Sequence, residues 1–131
     1  MTAGIDKQAE KLLRKAADDE VMARFPEAPD GPFGFQIQQA LEKLLKALLS
    51  QLGIEYPLTH DLEFLVSRVE SAGEILPRAV VAFSRIQSFA VLHRYDDVPE
   101  YAVLDRPQAL ETLRILREHV VARIAVLSAV P

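Results

Sequence analysis

The chain has 131 residues, of which 50% are hydrophobic and 26% are charged. This balance favours one globular domain with its own core over a disordered segment. The net charge of −4 argues against a surface that grips double-stranded DNA, although a local basic patch is compatible with it. The absence of cysteine excludes disulfides, thiolate zinc sites and cysteine nucleophiles.

The sequence also carries information about location. The N-terminal stretch alternates in charge and lacks the apolar centre of a signal peptide. Lys, Glu or Arg interrupts each long apolar window, so no segment is expected to span a membrane. We therefore expect a cytoplasmic protein with a single domain over residues 1–131.

The first half of the chain predicts two helices. Apolar residues recur at helical spacing over residues 5–25, and Asp6 is the expected N-cap. Residues 26–32 contain three prolines and a glycine and are predicted to form a loop. The second helix is predicted over residues 33–52, with Gly53 ending it.

The second half predicts three more helices. The third covers residues 59–71, with Thr59 as its N-cap, and the fourth covers residues 77–93. A polar and aromatic loop, residues 94–106, precedes a fifth helix over residues 107–127. No hairpin signal or repeat is visible, so the expected fold is an all-α, up-and-down bundle of four to five helices.

The second and fifth helices have unusually wide apolar arcs. A helix that is apolar beyond one face is buried on more than one side. In so small a chain this favours a homodimer, most simply with two-fold symmetry. In the second helix the arc consists of Ile37, Leu41, Leu44, Leu45, Leu48, Leu49 and Leu52, and in the fifth Ile115, Val121 and Ala122 widen the main stripe.

The order of polar motifs is similar to that of the HEPN domain family over roughly residues 7–127. The resemblance rests on the second helix, the following THDL motif and a later Arg-Tyr pair. These positions are Phe35, Gln38, Gln39, Glu42, Lys43, Lys46, Thr59, His60, Asp61, Leu62, Arg94 and Tyr95. The chain departs from the family pattern at Gln36, where a His is frequent, and at Asp96, where a Pro is frequent.

The resemblance implies a helical bundle, usually dimeric, that often works beside a small nucleotidyltransferase in toxin–antitoxin pairs. It allows two functions. Some members are metal-independent ribonucleases with an Arg followed by a His four to six residues later. Others bind nucleotides without cleaving RNA. The favoured interpretation is a nucleotide- or RNA-linked binding or partner module, and a ligand-free interaction domain is a further alternative.

One pair fits the ribonuclease spacing, namely Arg114 and His119. In the catalytic interpretation His119 transfers a proton at the ribose 2′-hydroxyl while Arg114 stabilises the phosphate. Five residues along a helix turn about 140°, so the two side chains would have to meet across a dimer axis. The favoured interpretation is a solvated helix face on which Arg114 pairs with Glu118.

Five other residues are candidates for ligand binding. Arg94 can grip a phosphate and Tyr95 can stack on a base, or the pair can cap the fourth helix and cover the core edge. For His60, a structural role at the start of the third helix is favoured over phosphate binding. Gln39 and Lys43 belong to a polar strip with Glu42 and Lys46, which is interpreted first as the polar seam of a buried helix.

No cofactor motif and no regular zinc spacing occurs. The chain lacks GxGxxG, P-loop, GxSxG and HExxH motifs. The His-Asp groupings are His60 with Asp61, and His93 with Asp96 and Asp97, and neither has the spacing of a zinc site. Neither a cofactor nor a metal is expected.

Overall fold

Five α-helices make up the computed structural model, which describes residues 4–92 and 105–129 and only the backbone of residues 86–92. They are α1 (Lys7–Ala23), α2 (Asp30–Gln51), α3 (Leu62–Ser71), α4 (Arg78–Leu92) and α5 (Arg106–Ser128). No strand occurs in the described residues, so the predicted all-α bundle is confirmed. None of the helices within those residues is long and apolar enough to cross a membrane.

Several predicted helix ends are confirmed. The Asp6 carboxylate caps α1 by accepting the backbone N–H of Ala9 at 3.0 Å. Gly53 after α2 has a φ of 74°, and Gly73 after α3 has a φ of 91°. These positive angles are strained for residues with a Cβ, which explains why a glycine follows each helix.

Two predicted helix starts are wrong. The predicted loop over residues 26–32 is too long, because α2 begins at Asp30 and includes Pro32 in its first turn. A proline is tolerated there because the first-turn N–H groups have no partner within the helix. α3 begins at Leu62 with Asp61, not Thr59, as the N-cap, and the Asp61 carboxylate accepts the Phe64 N–H at 3.2 Å.

The remaining starts differ by one residue. α4 begins at Arg78, and α5 begins at Arg106 with Asp105 as its N-cap. The Asp105 carboxylate accepts the N–H of Gln108 at 3.1 Å. The predicted loop over residues 94–106 therefore ends earlier, and its residues 94–104 lie outside the described part of the chain.

α2 occupies the centre of the bundle. It packs against α1, α3 and α5, while α4 packs against α3 and α5. Surrounding helices therefore bury the wide arc of α2 within one chain, and this arc does not require a partner subunit. Its residues Ile37, Leu41, Leu44, Leu45, Leu48 and Leu49 are at most 2% exposed. On α5, by contrast, Val121 and Val126 are exposed.

Candidate functional site

The polar strip of α2 contacts two different neighbours. Gln38, Glu42 and Lys46 follow one another at intervals of one turn and face the segment that joins α2 to α3. The amide nitrogen of Gln38 donates to the backbone carbonyl of His60 at 2.9 Å. Lys43 faces the other side, where its ammonium group pairs with Asp19 of α1. The strip therefore joins α2 to both neighbours, as expected of a polar seam.

The centre of this seam is a buried carboxylate. Glu42 is only 2% exposed, and its Oε2 lies 3.0 Å from Nδ1 of His60. Because a carboxylate can only accept a hydrogen bond, Nδ1 of His60 is the donor. The neutral imidazole then has its lone pair on Nε2. The side chain of His60 is 73% exposed, so Glu42 fixes the orientation of a ring that solvent reaches.

Two further groups approach Glu42. The Nζ of Lys46 lies 4.0 Å from Oε2 and 5.9 Å from the centre of the Tyr56 ring. The amide of Gln38 donates to Oε1 at 3.4 Å. Tyr56 lies opposite Lys46 and His60 lies opposite Glu42, so the connection after α2 runs back along that helix. This geometry orients the exposed His60 ring so that its Nε2 atom can accept a hydrogen bond from a ligand.

Among the predicted ligand residues that the structure describes, Lys43 and His60 face different neighbours of α2. His60 presents an exposed ring, whereas Lys43 is already paired with Asp19. Gln39 is half-buried, and its side chain makes no hydrogen bond within the described residues. Arg94 and Tyr95 lie outside the described residues. Of the three described side chains, Gln39, Lys43 and His60, that of His60 is therefore the one most open to a ligand.

His60 itself lies one position before the N-cap of α3, not in its first turn as predicted. Its structural role comes from the Glu42 and Gln38 contacts, which anchor the connection between α2 and α3. Glu42 was not among the predicted site residues. The interval of four residues from Gln38 to Glu42 to Lys46 was the available signal, but nothing local indicated that the carboxylate is buried.

Arg114 is held by two carboxylates on the exposed surface of α5. Its Nε donates to Glu111 at 3.0 Å, and its Nη1 donates to Glu118 at 2.7 Å. The hydrogen bonds that Arg114 donates to Glu111 and then to Glu118 raise the pKa of Arg114. The same hydrogen bond from Arg114 holds the pKa of Glu111 below its usual range. The predicted Arg114–Glu118 pair is therefore present, with Glu111 as a second partner.

His119 lies on a different side of α5. The side chain is half-buried, and its Nε2 is buried with no hydrogen-bond partner in the described residues. The separation of about 140° around the helix keeps this ring away from the Arg114 guanidinium within one chain. The structure therefore does not bring the predicted ribonuclease pair together in a single copy.

Two long-range ion pairs of α5 were not predicted. Glu20 on α1 is 6% exposed and accepts from Arg24 at 2.8 Å and from Arg117 on α5. Arg123 on α5 binds Glu74 through two hydrogen bonds, at 2.7 and 3.0 Å. Their partners are 97 and 49 residues apart in sequence, so no local pattern identifies them.

Within the described ranges, no group of three or more His, Cys, Asp or Glu residues is placed to hold a metal ion. The His93, Asp96 and Asp97 grouping lies outside those ranges.

Comparison with known families agrees with the motif order of the sequence. The model of the HEPN domain matches residues 6–123, nearly the whole chain. No curated protein and no solved structure matches the chain significantly. On the family match, together with the helical bundle that carries it, this chain belongs to the HEPN domain family.

Proposed function

We propose that this HEPN domain is a binding or partner module in a nucleotide- or RNA-linked system and that it does not cleave RNA. The observation that supports this is the state of Arg114. Its guanidinium group is paired with the carboxylates of Glu111 and Glu118, and His119 lies on another side of the same helix. A phosphate would have to displace both carboxylates before Arg114 could stabilise it.

A cleavage assay tests this proposal. The protein is incubated with a single-stranded RNA in the presence of EDTA, beside His119→Ala, Arg114→Ala and the control Arg78→Ala, an exposed arginine on α4. We expect no cleavage above background and no growth effect that depends on His119. Cleavage that disappears in His119→Ala and Arg114→Ala but persists in the control would contradict the proposal.

The alternative is a metal-independent ribonuclease toxin that uses Arg114 and His119 from two chains. One observation favours it, since the Nε2 of His119 is buried without a partner in the described part of the chain. Buried polar atoms are usually hydrogen-bonded, so an unpaired one is a recurrent feature of functional positions. The same assay separates this alternative from the binding module.

The ligand of the binding module is expected at the segment around His60. The oriented ring of His60 can accept a hydrogen bond at Nε2 from a hydroxyl or amino group of a nucleotide. A thermal-shift series with nucleoside mono-, di- and triphosphates tests this, with His60→Ala as the comparison. A stabilising nucleotide whose effect is lost in His60→Ala supports the site. If no nucleotide raises the melting temperature, the ligand-free interaction domain is favoured.

The proposed function also concerns the oligomeric state and the protein partner of this domain. We propose that it acts as a cytoplasmic homodimer and that its protein partner is a nucleotidyltransferase, in a toxin–antitoxin pair. The exposed valines on α5 support a further protein contact. Co-expression of the chain with the nucleotidyltransferase of a neighbouring gene, followed by affinity purification, tests the pairing. Separate elution of the two proteins would count against it.

A further inference from the structure

The outward face of α1 is basic in its N-terminal half. Four exposed cations there have no ion-pair partner in the described residues, namely Lys7, Lys11, Arg14 and Lys15. On an ideal helix they share an arc of about 100° with one carboxylate, Asp18, and Glu10 lies outside this arc. Four cations and one carboxylate sum to +3 in a protein whose net charge is −4. No ion pair within the described residues neutralises these four cations.

The C-terminal half of the same face is apolar. Val21, Met22 and Phe25 are 62%, 51% and 52% exposed. Met22 and Phe25 also form one wall of a cleft of about 300 Å³ between the end of α1 and the start of α2. The other lining residues are Glu27, Ala28, Pro32 and Gln36. This volume lies at the lower end of the range for ligand pockets, about 300–1,000 Å³.

One buried acceptor at this cleft has no donor. The Oε1 atom of Gln36 is buried and has no partner in the described residues, and Glu27 contributes a carboxylate. A buried acceptor without a donor costs free energy, about 1–3 kcal/mol, so an occupant that supplies an N–H group stabilises the site. A polypeptide supplies such a donor from the backbone beside any apolar side chain.

We propose that this α1 face binds an acidic, extended segment of another protein, which inserts one large apolar side chain into the Gln36 cleft. The acidic residues of that segment contact Lys11 and Lys15, and a backbone N–H donates to Gln36. Lys15 and Lys11 lie seven and eleven residues before Met22, which corresponds to about 10 and 16 Å along the helix. An extended chain advances about 3.3 Å per residue. The acidic residues of the bound segment therefore lie about three and five positions from its apolar anchor.

Two other occupants fit less well. A nucleic acid would bring phosphates close to the carboxylate of Glu27, which repels them. A membrane surface would need apolar residues along the whole helix, whereas here they occupy only one end.

Fluorescence anisotropy with designed peptides tests the proposal. Labelled peptides of about ten residues carry one Leu or Phe anchor with Glu about three and five positions before it, or after it. We expect the full-length protein to bind at least one of these peptides and not the versions with Lys for Glu or Ser for the anchor. The double variant Lys11→Glu/Lys15→Glu should weaken that binding at least about fivefold, equivalent to roughly 1 kcal/mol.

Two further variants make the test specific. Gln36→Leu removes the acceptor and should weaken peptide binding without lowering the melting temperature, because an unpaired buried group is replaced by an apolar one. Arg78→Glu/Arg85→Glu makes the same change of charge on α4 and should leave binding unchanged. Circular dichroism checks that each variant keeps its helices.

Failure of all the peptides to bind would overturn the proposal, as would equal binding by the α1 and α4 double variants. If the α1 double variant instead loses binding to oligouridylate, or to vesicles with anionic lipid, the face belongs to RNA or to a membrane and the proposal is wrong. None of these results bears on the cleavage assay with His119→Ala, so the two proposals fail separately.

Discussion

At the scale of single residues, Glu42 shows how a family motif can have a structural cause. Its carboxylate is almost fully buried but accepts from Gln38 and His60 and lies near Lys46. A buried charge is tolerated only when several donors satisfy it. Gln38 and Lys46, one turn before and one turn after Glu42 on α2, therefore meet this carboxylate where α2 faces the connection to α3.

Replacing Glu42 tests this account. We expect Glu42→Ala to lower the free energy of unfolding by about 1–3 kcal/mol, because it removes a buried acceptor and leaves its partners without one. Glu70→Ala, which changes an exposed glutamate on α3, should stay within about 0.5 kcal/mol of the parent protein. Urea denaturation followed by circular dichroism measures both. Equal losses for the two variants would show that the Glu42 contacts do not stabilise the fold.

At the scale of elements, the cap of α1 is connected to the end of α2. The Asp6 carboxylate accepts from the hydroxyl of Ser50 at 2.8 Å and from the N–H of Ala9 at 3.0 Å. The backbone N–H of Asp6 donates to the Gln51 side chain at 2.8 Å. The start of α1 is thus held against the C-terminal end of α2, and the two helices are antiparallel.

This connection predicts a dependence of stability on pH. The hydrogen bond from Ser50, followed by that from Ala9, lowers the pKa of Asp6 below 3.8. A carboxyl group with a lower pKa in the folded state stabilises the fold above its unfolded pKa, and this contribution is lost as the pH falls through the folded pKa. We therefore expect urea midpoints to fall on acidification below about pH 3.8, and to fall less in Asp6→Asn. Asp18→Asn, an exposed control on α1, should follow the parent protein.

The same elements show what the sequence could predict. Helix periodicity and the capping role of Asp6 were readable because they depend on neighbours within a few residues. The starts of α2 and α3 differ from the prediction. The first turn of α2 accommodates Pro32, and Asp61 rather than Thr59 caps α3. Long-range contacts such as that between Arg117 and Glu20 depend on how helices pack, and no local rule contains that information. The Gln36 cleft was missed for the same reason, since residues of α1 and α2 form it together.

At the scale of the whole molecule, the structure refines the argument for a dimer. The wide arc of α2 is buried within the chain, so it does not support a partner. The outward face of α5 supports a partner subunit, because its C-terminal half exposes Val121 and Val126, with Ala122 and Ala125 between them. Ile5 is also exposed and follows Gly4, whose N–H donates to the carbonyl of Ser128 at 3.1 Å. A two-fold contact over this patch would bury apolar surface from both copies.

We therefore predict that the protein is a dimer and that Val121→Asp/Val126→Asp converts it to a monomer, because the substitutions bring charges together across the two-fold axis. Light scattering after size exclusion, at about 100 µM protein and below, gives the molar mass. That concentration exceeds a dissociation constant of about 1 µM, which corresponds to a binding free energy near −8 kcal/mol. Ile75→Asp, at a more exposed apolar position outside α5, is the control and should remain a dimer. A monomeric parent protein at the highest concentration would show that this patch is not a self-association surface.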